Sequence, residues 1–126
     1  MTNSKGFIER RKHNRFKAKE GVFAVVTSGD NKVGQIKNIS KGGLAFQYVA
    51  SEKKLAGLLI MDIFRSSKDF YMKDVTVKTT SDCYVDSKIP FSTIILKQCG
   101  GKFADLADNQ VSQLDRFIQN YTIGEA

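Results

Sequence analysis

The sequence predicts a mainly β domain: a small antiparallel barrel, one amphipathic helix at its C-terminal end, and a flexible basic arm at its N-terminal end. Three observations carry this expectation. Short apolar runs rich in Val, Ile and Phe recur from Val22 to Gln98, separated by turn signals. From Asp108 the apolar spacing changes to threes and fours, the period of a helix. The first 20 residues are polar and basic and show neither period. A chain of 126 residues is long enough for one modest core and too short for two. Residues 1–20 are therefore expected to be an arm and residues 21–126 the barrel with its helix, one domain in all.

The arm contains "ERRKHNRF", residues 9–16, with four cationic side chains and a histidine in eight residues. From Val22, the residues Phe23, Val25 and Thr27 alternate with Ala24 and Val26, a β-branched pattern suited to a strand. "SGDN" at 28–31 is a turn signal, residues 32–39 the next strand, and "SKGG" at 40–43 the next turn. Leu44, Phe46 and Tyr48 then alternate with Ala45 and Gln47. Further strands are expected over residues 57–64, 70–85 and 91–98. In the second of these, Val75 and Val77 alternate with Asp74, Thr76 and Lys78, as in a half-buried antiparallel strand. Pro90, the sole proline, fits the first residue of a strand. In the helix, Asp108 is the expected N-cap, Val111, Leu114, Phe117, Ile118 and Tyr121 form the apolar stripe, and Gly124 is the stop. That stripe must bury against the sheet, which suggests a barrel closed or plugged by the helix.

Composition narrows the function classes. A net charge of +7 suits a polyanionic partner. The longest early apolar run is Phe7-Ile8, so no secretory segment is read. The longest apolar stretch, residues 55–61, is too short to span a bilayer. The chain therefore reads as cytoplasmic, without membrane insertion. Cys83 and Cys99 form no CxxC pair and are expected to be reduced, packed side chains. His13 is the only histidine, so a histidine triad or multi-histidine metal site is impossible in a monomer. Gly100-Gly101-Lys102 fails as a phosphate loop, because Phe103 replaces the hydroxyl residue and no glycine stands at 96. No catalytic residue, cofactor or metal is expected, and the chain does not read as an enzyme.

Binding chemistry is better supported. Arg11 and Arg15 are four residues apart, with Arg10 adjoining. Guanidinium groups at that spacing can converge on one anion and pair bidentately with phosphate or with the O6/N7 edge of guanine. Alone, such a cluster is equally a solvated charge run. In "NISKGGL", residues 38–44, Asn38 and Ser40 face one side if the strand end stays extended. Gly42 and Gly43 permit a positive-φ turn and close approach of a ligand to backbone N–H groups. Alone, this is equally a hairpin turn with its polar side chains satisfied locally.

Taken in order, an RxxxR arm, a strand, and [Asp/Asn]-x-Ser-x-x-Gly at a strand-to-strand turn resemble the paired signature of the PilZ family, through Arg11, Arg15, Asn38, Ser40 and Gly43. "GGLAF" at 42–46, "GGKFADL" at 100–106 and "LDRFI" at 114–118 look similar to PilZ sequence as well. Asn38 stands where many members carry aspartate; it keeps an acceptor, adds a donor and loses the charge. The resemblance implies a six-stranded antiparallel β-barrel with a C-terminal helix, a stand-alone bacterial receptor for the second messenger cyclic di-GMP. It further implies that an arm bearing Arg10, Arg11 and Arg15 folds over the ligand, with Asn38, Ser40, Gly42 and Gly43 beneath it. Arg10, just before the motif, bears on whether one ligand or an intercalated pair is held. A bare domain of this kind is expected to signal through an unidentified effector protein. Two alternatives stand beside this reading: a small basic barrel that binds single-stranded nucleic acid, and a PilZ-like protein-interaction adaptor without ligand. The first is disfavoured by aromatics that fall mostly at strand-interior or helix-stripe positions, the second by the retained arginine motif.

Overall fold

Alternating apolar residues drive nearly every strand, because a pleated segment with one apolar face is stable only when that face is covered. The computed structural model describes residues 14–29, 31–51, 54–85 and 94–126. Among them are strands β1 (Phe16–Ala18), β2 (Val22–Val26), β3 (Val33–Ile39), β4 (Gly43–Val49), β5 (Leu58–Arg65), β6 (Tyr71–Tyr84) and β7 (Leu96–Phe103). Helix α1 (Asp108–Asn120) and strand β8 (Thr122–Glu125) follow. Six strands close into an antiparallel barrel in the order β2-β5-β6-β7-β4-β3, with β3 pairing back to β2. The expected six-stranded barrel with a C-terminal helix is therefore the observed architecture. Closure leaves the barrel strands without free edges.

The inward residues make one core. Val22, Ala24 and Val26 of β2 meet Ile36 and Ile39 of β3, Leu44 and Phe46 of β4, and Met61, Met72, Val75 and Val77 from β5 and β6. One mouth of the barrel is closed by polar groups. The Tyr48 hydroxyl donates to Asp82 at 2.6 Å, and the Lys97 ammonium donates to the same carboxylate at 2.9 Å. Burial, then the bond to Asp82, holds the Tyr48 phenol protonated well above its usual range. The hydrogen bond to Asp82 likewise raises Lys97.

Helix α1 covers the other mouth. Leu114 and Phe117 are buried, and the Phe117 ring meets Phe70 edge-on with centroids 5.0 Å apart. Tyr121 packs on both rings and carries the Arg65 guanidinium 4.7 Å above its own. Arg65 also pairs with Asp69 at 2.8 Å. The expected stripe is correct except that Val111 is largely exposed.

The helix ends differ from expectation. Ala107, not Asp108, is the N-cap, and Asp108 is the first helical residue. Alanine offers no acceptor, so only half a capping box forms: the Gln110 carbonyl oxygen accepts the Ala107 N–H at 2.9 Å. The same Gln110 amide donates to the carbonyls of Lys73 and Asp74, which ties the helix start to β6. Gly124 is not the stop. The chain leaves the helix at Tyr121 and enters β8, where Gly124 takes φ +125° inside the strand.

Three further expectations are corrected. The stretch read as an arm to residue 20 ends in strand β1, which hydrogen-bonds to β3 on one side and β8 on the other. The strand expected over 91–98 starts at Leu96 and runs through Gly100-Gly101 to Phe103; Pro90 and residues 91–93 lie outside the described residues. Of the two free cysteines, Cys99 is packed but Cys83 is exposed.

Replacing Phe117 with alanine should remove the main anchor of α1 and cost about 3–5 kcal/mol of stability, as large-to-small changes in cores do. Urea unfolding of Phe117→Ala against the parent chain measures this.

Candidate functional site

The site forms at the end of β3. Ile36 pairs with Phe46, but Asn38 pairs with Ala45, which leaves Lys37 as a bulge. Strict alternation would turn Asn38 inward with Ile36. The extra residue instead keeps both Lys37 and Asn38 off the core and lets Ile39 fill it.

Ser40 sits just past the end of β3, at the start of the turn into β4. It is 5% exposed and turns into its own hairpin, where its hydroxyl oxygen accepts the N–H groups of Gly42 and Gly43, each at 3.1 Å. Its own N–H donates to the Gly43 carbonyl at 2.8 Å. The left-handed glycines among the described residues are Gly21, Gly29 and Gly124, so the turn does not use Gly42 or Gly43 for positive φ. Gly43 is required by close packing instead: a Cβ there would stand 2.1 Å from the Gly101 carbonyl oxygen of β7. Phe103 N–H donates to the Gly42 carbonyl at 2.9 Å, and Lys41 approaches Asp115 of α1 at 4.0 Å. The turn is thus fixed to β7 and lies beside the helix.

Strand β1 brings the second motif alongside. Phe16 pairs with Ile39 and Lys17 with Asn38. Half-buried Arg15 immediately precedes the paired residues of β1, as Ser40 immediately follows those of β3. The Arg15 carbonyl accepts the Ala126 N–H at 2.9 Å, so β8 braces the strand from behind. Arg15, Asn38, Ser40, Gly42 and Gly43 therefore gather at one end of β3. Arg10, Arg11 and His13 lie outside the described residues.

A cleft of about 340 Å³ opens beside Asn38, lined by Lys17, Gln35, Lys37, Asn38 and Ile123, with Glu20 as its acidic side chain; Arg15, Ser40, Gly42 and Gly43 are not part of its lining. The Asn38 side-chain oxygen is buried and has no hydrogen-bond partner. A buried acceptor without a donor costs about 1–3 kcal/mol, and such an orphan calls for a donor from outside. Lys17, Lys37 and Ile123 were not foreseen. Neither lysine belongs to a motif, and Ile123 enters only through β8. Among the described residues, no group of His, Cys, Asp and Glu is placed to hold a metal ion, and no helix is long and apolar enough to cross a membrane.

A closed six-stranded antiparallel barrel with a helix over one mouth and a two-strand ribbon beside β3 defines a known class of small domain. Among solved structures, the chain superposes on the PilZ domain of YcgR from Escherichia coli, described with c-di-GMP, with a TM-score of 0.72 at 14% identity over 90% of this chain and 92% of that one. It also matches MrkH, described as a c-di-GMP-dependent transcription regulatory factor, with a TM-score of 0.70 at 14% identity over 90% of this chain and 51% of that one. A longer YcgR chain, in complex with c-di-GMP, matches at 0.66 and 16% identity, with 90% of this chain and 46% of that one covered. The chain thus spans about half the length of MrkH and of the longer YcgR. No family model and no curated protein sequence matches it. By fold, the chain is a PilZ-like domain.

The two motif polar residues should behave oppositely in the free protein. Ser40→Ala strands two turn N–H groups and should cost about 1–2 kcal/mol. Asn38→Leu removes the orphan acceptor and should leave the urea midpoint unchanged or raised. Denaturation of both variants without ligand separates the roles.

Proposed function

We propose that this chain is a cyclic di-GMP receptor domain. One observation supports the reading: strand β1, which directly follows Arg15 of the RxxxR motif, pairs with β3 at Asn38 and Ile39, next to Ser40, and Asn38 lines a cleft with Lys17 and Lys37 and carries a buried oxygen without a partner. The bound ligand named for the YcgR domain supports it. Arg10, Arg11 and Arg15 would offer guanidinium forks to the phosphates and to the guanine O6/N7 edges. Asn38 would accept a guanine or guanidinium N–H, while Ser40 holds the turn that presents the Gly42 and Gly43 backbone. A polar segment of this composition has little apolar area to bury, so charge-assisted bonds to a dianion are what would close it over the cleft. An arginine at position 10 can stack on a guanine face, which favours two ligands per chain. The closed arm and ligand edge make a new surface for an effector protein, and the reading is of a cytoplasmic, non-enzymatic signalling domain.

One observation favours single-stranded nucleic acid. Phe23, Phe64 and Tyr71 form a cross-strand row on the outer face, with ring centroids 5.9 and 6.3 Å apart, whereas Phe46, Tyr48, Phe70 and Phe117 are buried in the core. Bases stack on such rows. Here, however, the Tyr71 hydroxyl donates to Asp62, and the Asp74 N–H donates to the same carboxylate at 2.9 Å. Two carboxylates at the end of the row repel a polyanion, so the dinucleotide reading stands first.

Titration calorimetry should give saturable binding of cyclic di-GMP, with Arg11→Ala and Arg15→Ala each weaker by about 1.5–3 kcal/mol, the cost of a lost charged hydrogen bond. Cyclic di-AMP should bind far less well, because adenine presents an amino donor where guanine presents O6. Equal affinity for the two would reject the arginine-fork account.

Hydrogen exchange over residues 5–15, ahead of the paired strand β1, should slow on saturation with cyclic di-GMP. Protection that is identical with and without ligand would remove the arm from the switching mechanism.

A further inference from the structure

Beyond the two motifs, the outer face beside the Gly43 turn carries a like-charge couple. Gly43 of β4 pairs with Lys102 of β7, and Lys102 pairs with Lys78 of β6. Both lysines are exposed. Among the described residues neither takes part in an ion pair, although Lys41, Arg65 and Lys97 each do. Like charges directly opposite on neighbouring strands repel and destabilise the pair, so the arrangement has an unmet demand for an anion.

Its position connects that demand to the cleft. The adjacent cross-strand row runs Asn38, Ala45, Gly100, Ser81. Nothing larger than a serine side chain follows Asn38 along it. Gly43 has no side chain, so Lys102 borders the motif turn directly. At a strand spacing of about 4.8 Å, Lys102 lies one strand and Lys78 two strands beyond Gly43, within the reach of a ligand that starts at Asn38.

We propose that Lys78 and Lys102 form a phosphate-binding subsite, which holds a phosphodiester of a ligand extended from the Asn38 cleft across β4 and β7. This rests on the receptor reading for the identity of the ligand, but the cation couple exists independently of it. The subsite would serve the outer phosphate when two stacked dinucleotides are held. Lysine suits this role as a mobile point charge that tolerates variable phosphate positions, where arginine would impose a fixed fork.

Two titrations on the full chain test it: cyclic di-GMP by calorimetry, and inorganic pyrophosphate followed by amide chemical shifts. Lys78→Gln/Lys102→Gln should bind cyclic di-GMP about tenfold more weakly, with a shallower salt dependence, as expected for one or two lost charged contacts. It should also lose the pyrophosphate shifts at residues 78 and 102. Lys78→Glu creates an opposite-charge pair with Lys102, so its melting temperature should equal or exceed that of the parent while its ligand affinity falls. That combination rules out misfolding as the cause. Unchanged cyclic di-GMP affinity in the double variant overturns the subsite and leaves the receptor reading intact. Absence of cyclic di-GMP binding to the parent chain, with saturable pyrophosphate shifts at 78 and 102, overturns the receptor reading and supports the subsite for another phosphate compound. No response to either ligand overturns both.

Discussion

One edge of β3 serves two partners, and the rest of the molecule follows from how that edge is divided. Its first half, Val33 to Gln35, pairs with β2 and closes the barrel. Its second half, at Asn38 and Ile39, pairs with β1. A single straight strand could not do both, because β2 continues toward β5 while β1 turns away to β8. The chain makes the change at Gly21, whose φ of +83° kinks it between two strands that both run antiparallel to β3, and the Ser66 N–H bonds the Gly21 carbonyl at 2.8 Å to hold the corner. The bulge at Lys37 falls at the same point on β3. Barrel closure and site construction are therefore two uses of one hydrogen-bonding edge.

The same division joins the site to the helix. β8 leaves α1 directly and lies against β1, and the Lys19 N–H bonds the Tyr121 carbonyl at 2.9 Å. Tyr121 in turn sits among Phe70, Phe117 and Arg65. A force on β1 would thus be felt by the aromatic cluster under the helix within one residue layer, because packed rings have few alternative arrangements. The opposite mouth, held by Tyr48, Asp82 and Lys97, is remote from this path and acts as a fixed end.

The long strands and the helix were legible because each repeats its pattern over enough residues to specify a face. Val22–Val26 and Val75 with Val77 alternate cleanly, and Leu114 with Phe117 shows the helical stripe. The short elements were not legible. Phe16–Ala18 and Thr122–Glu125 have three and four residues, and what makes them strands is the partner each finds in the fold. The gathering of Arg15, Asn38, Ser40, Gly42 and Gly43 could be read from motif order, yet the individual roles could not. The inward turn of Ser40 depends on the hairpin geometry, the aim of Asn38 on a one-residue bulge, and the need for Gly43 on a β7 carbonyl nearly 60 residues away. Lys78 and Lys102 are unremarkable in sequence, since only register places them face to face.

The unequal setting of the two cysteines gives the chain a built-in attachment point. Burial, helped by the charge of Asp82, pushes the Cys99 thiol up to about 11, so at neutral pH it is almost wholly the unreactive thiol. Cys83 is exposed and stands opposite Gln98 on the outer face. A maleimide dye or nitroxide added to the unmodified sequence would therefore settle at one place, on a rigid barrel strand two residues from Ser81. A second label introduced near residue 5 would turn the native protein into a molecular ruler between arm and barrel.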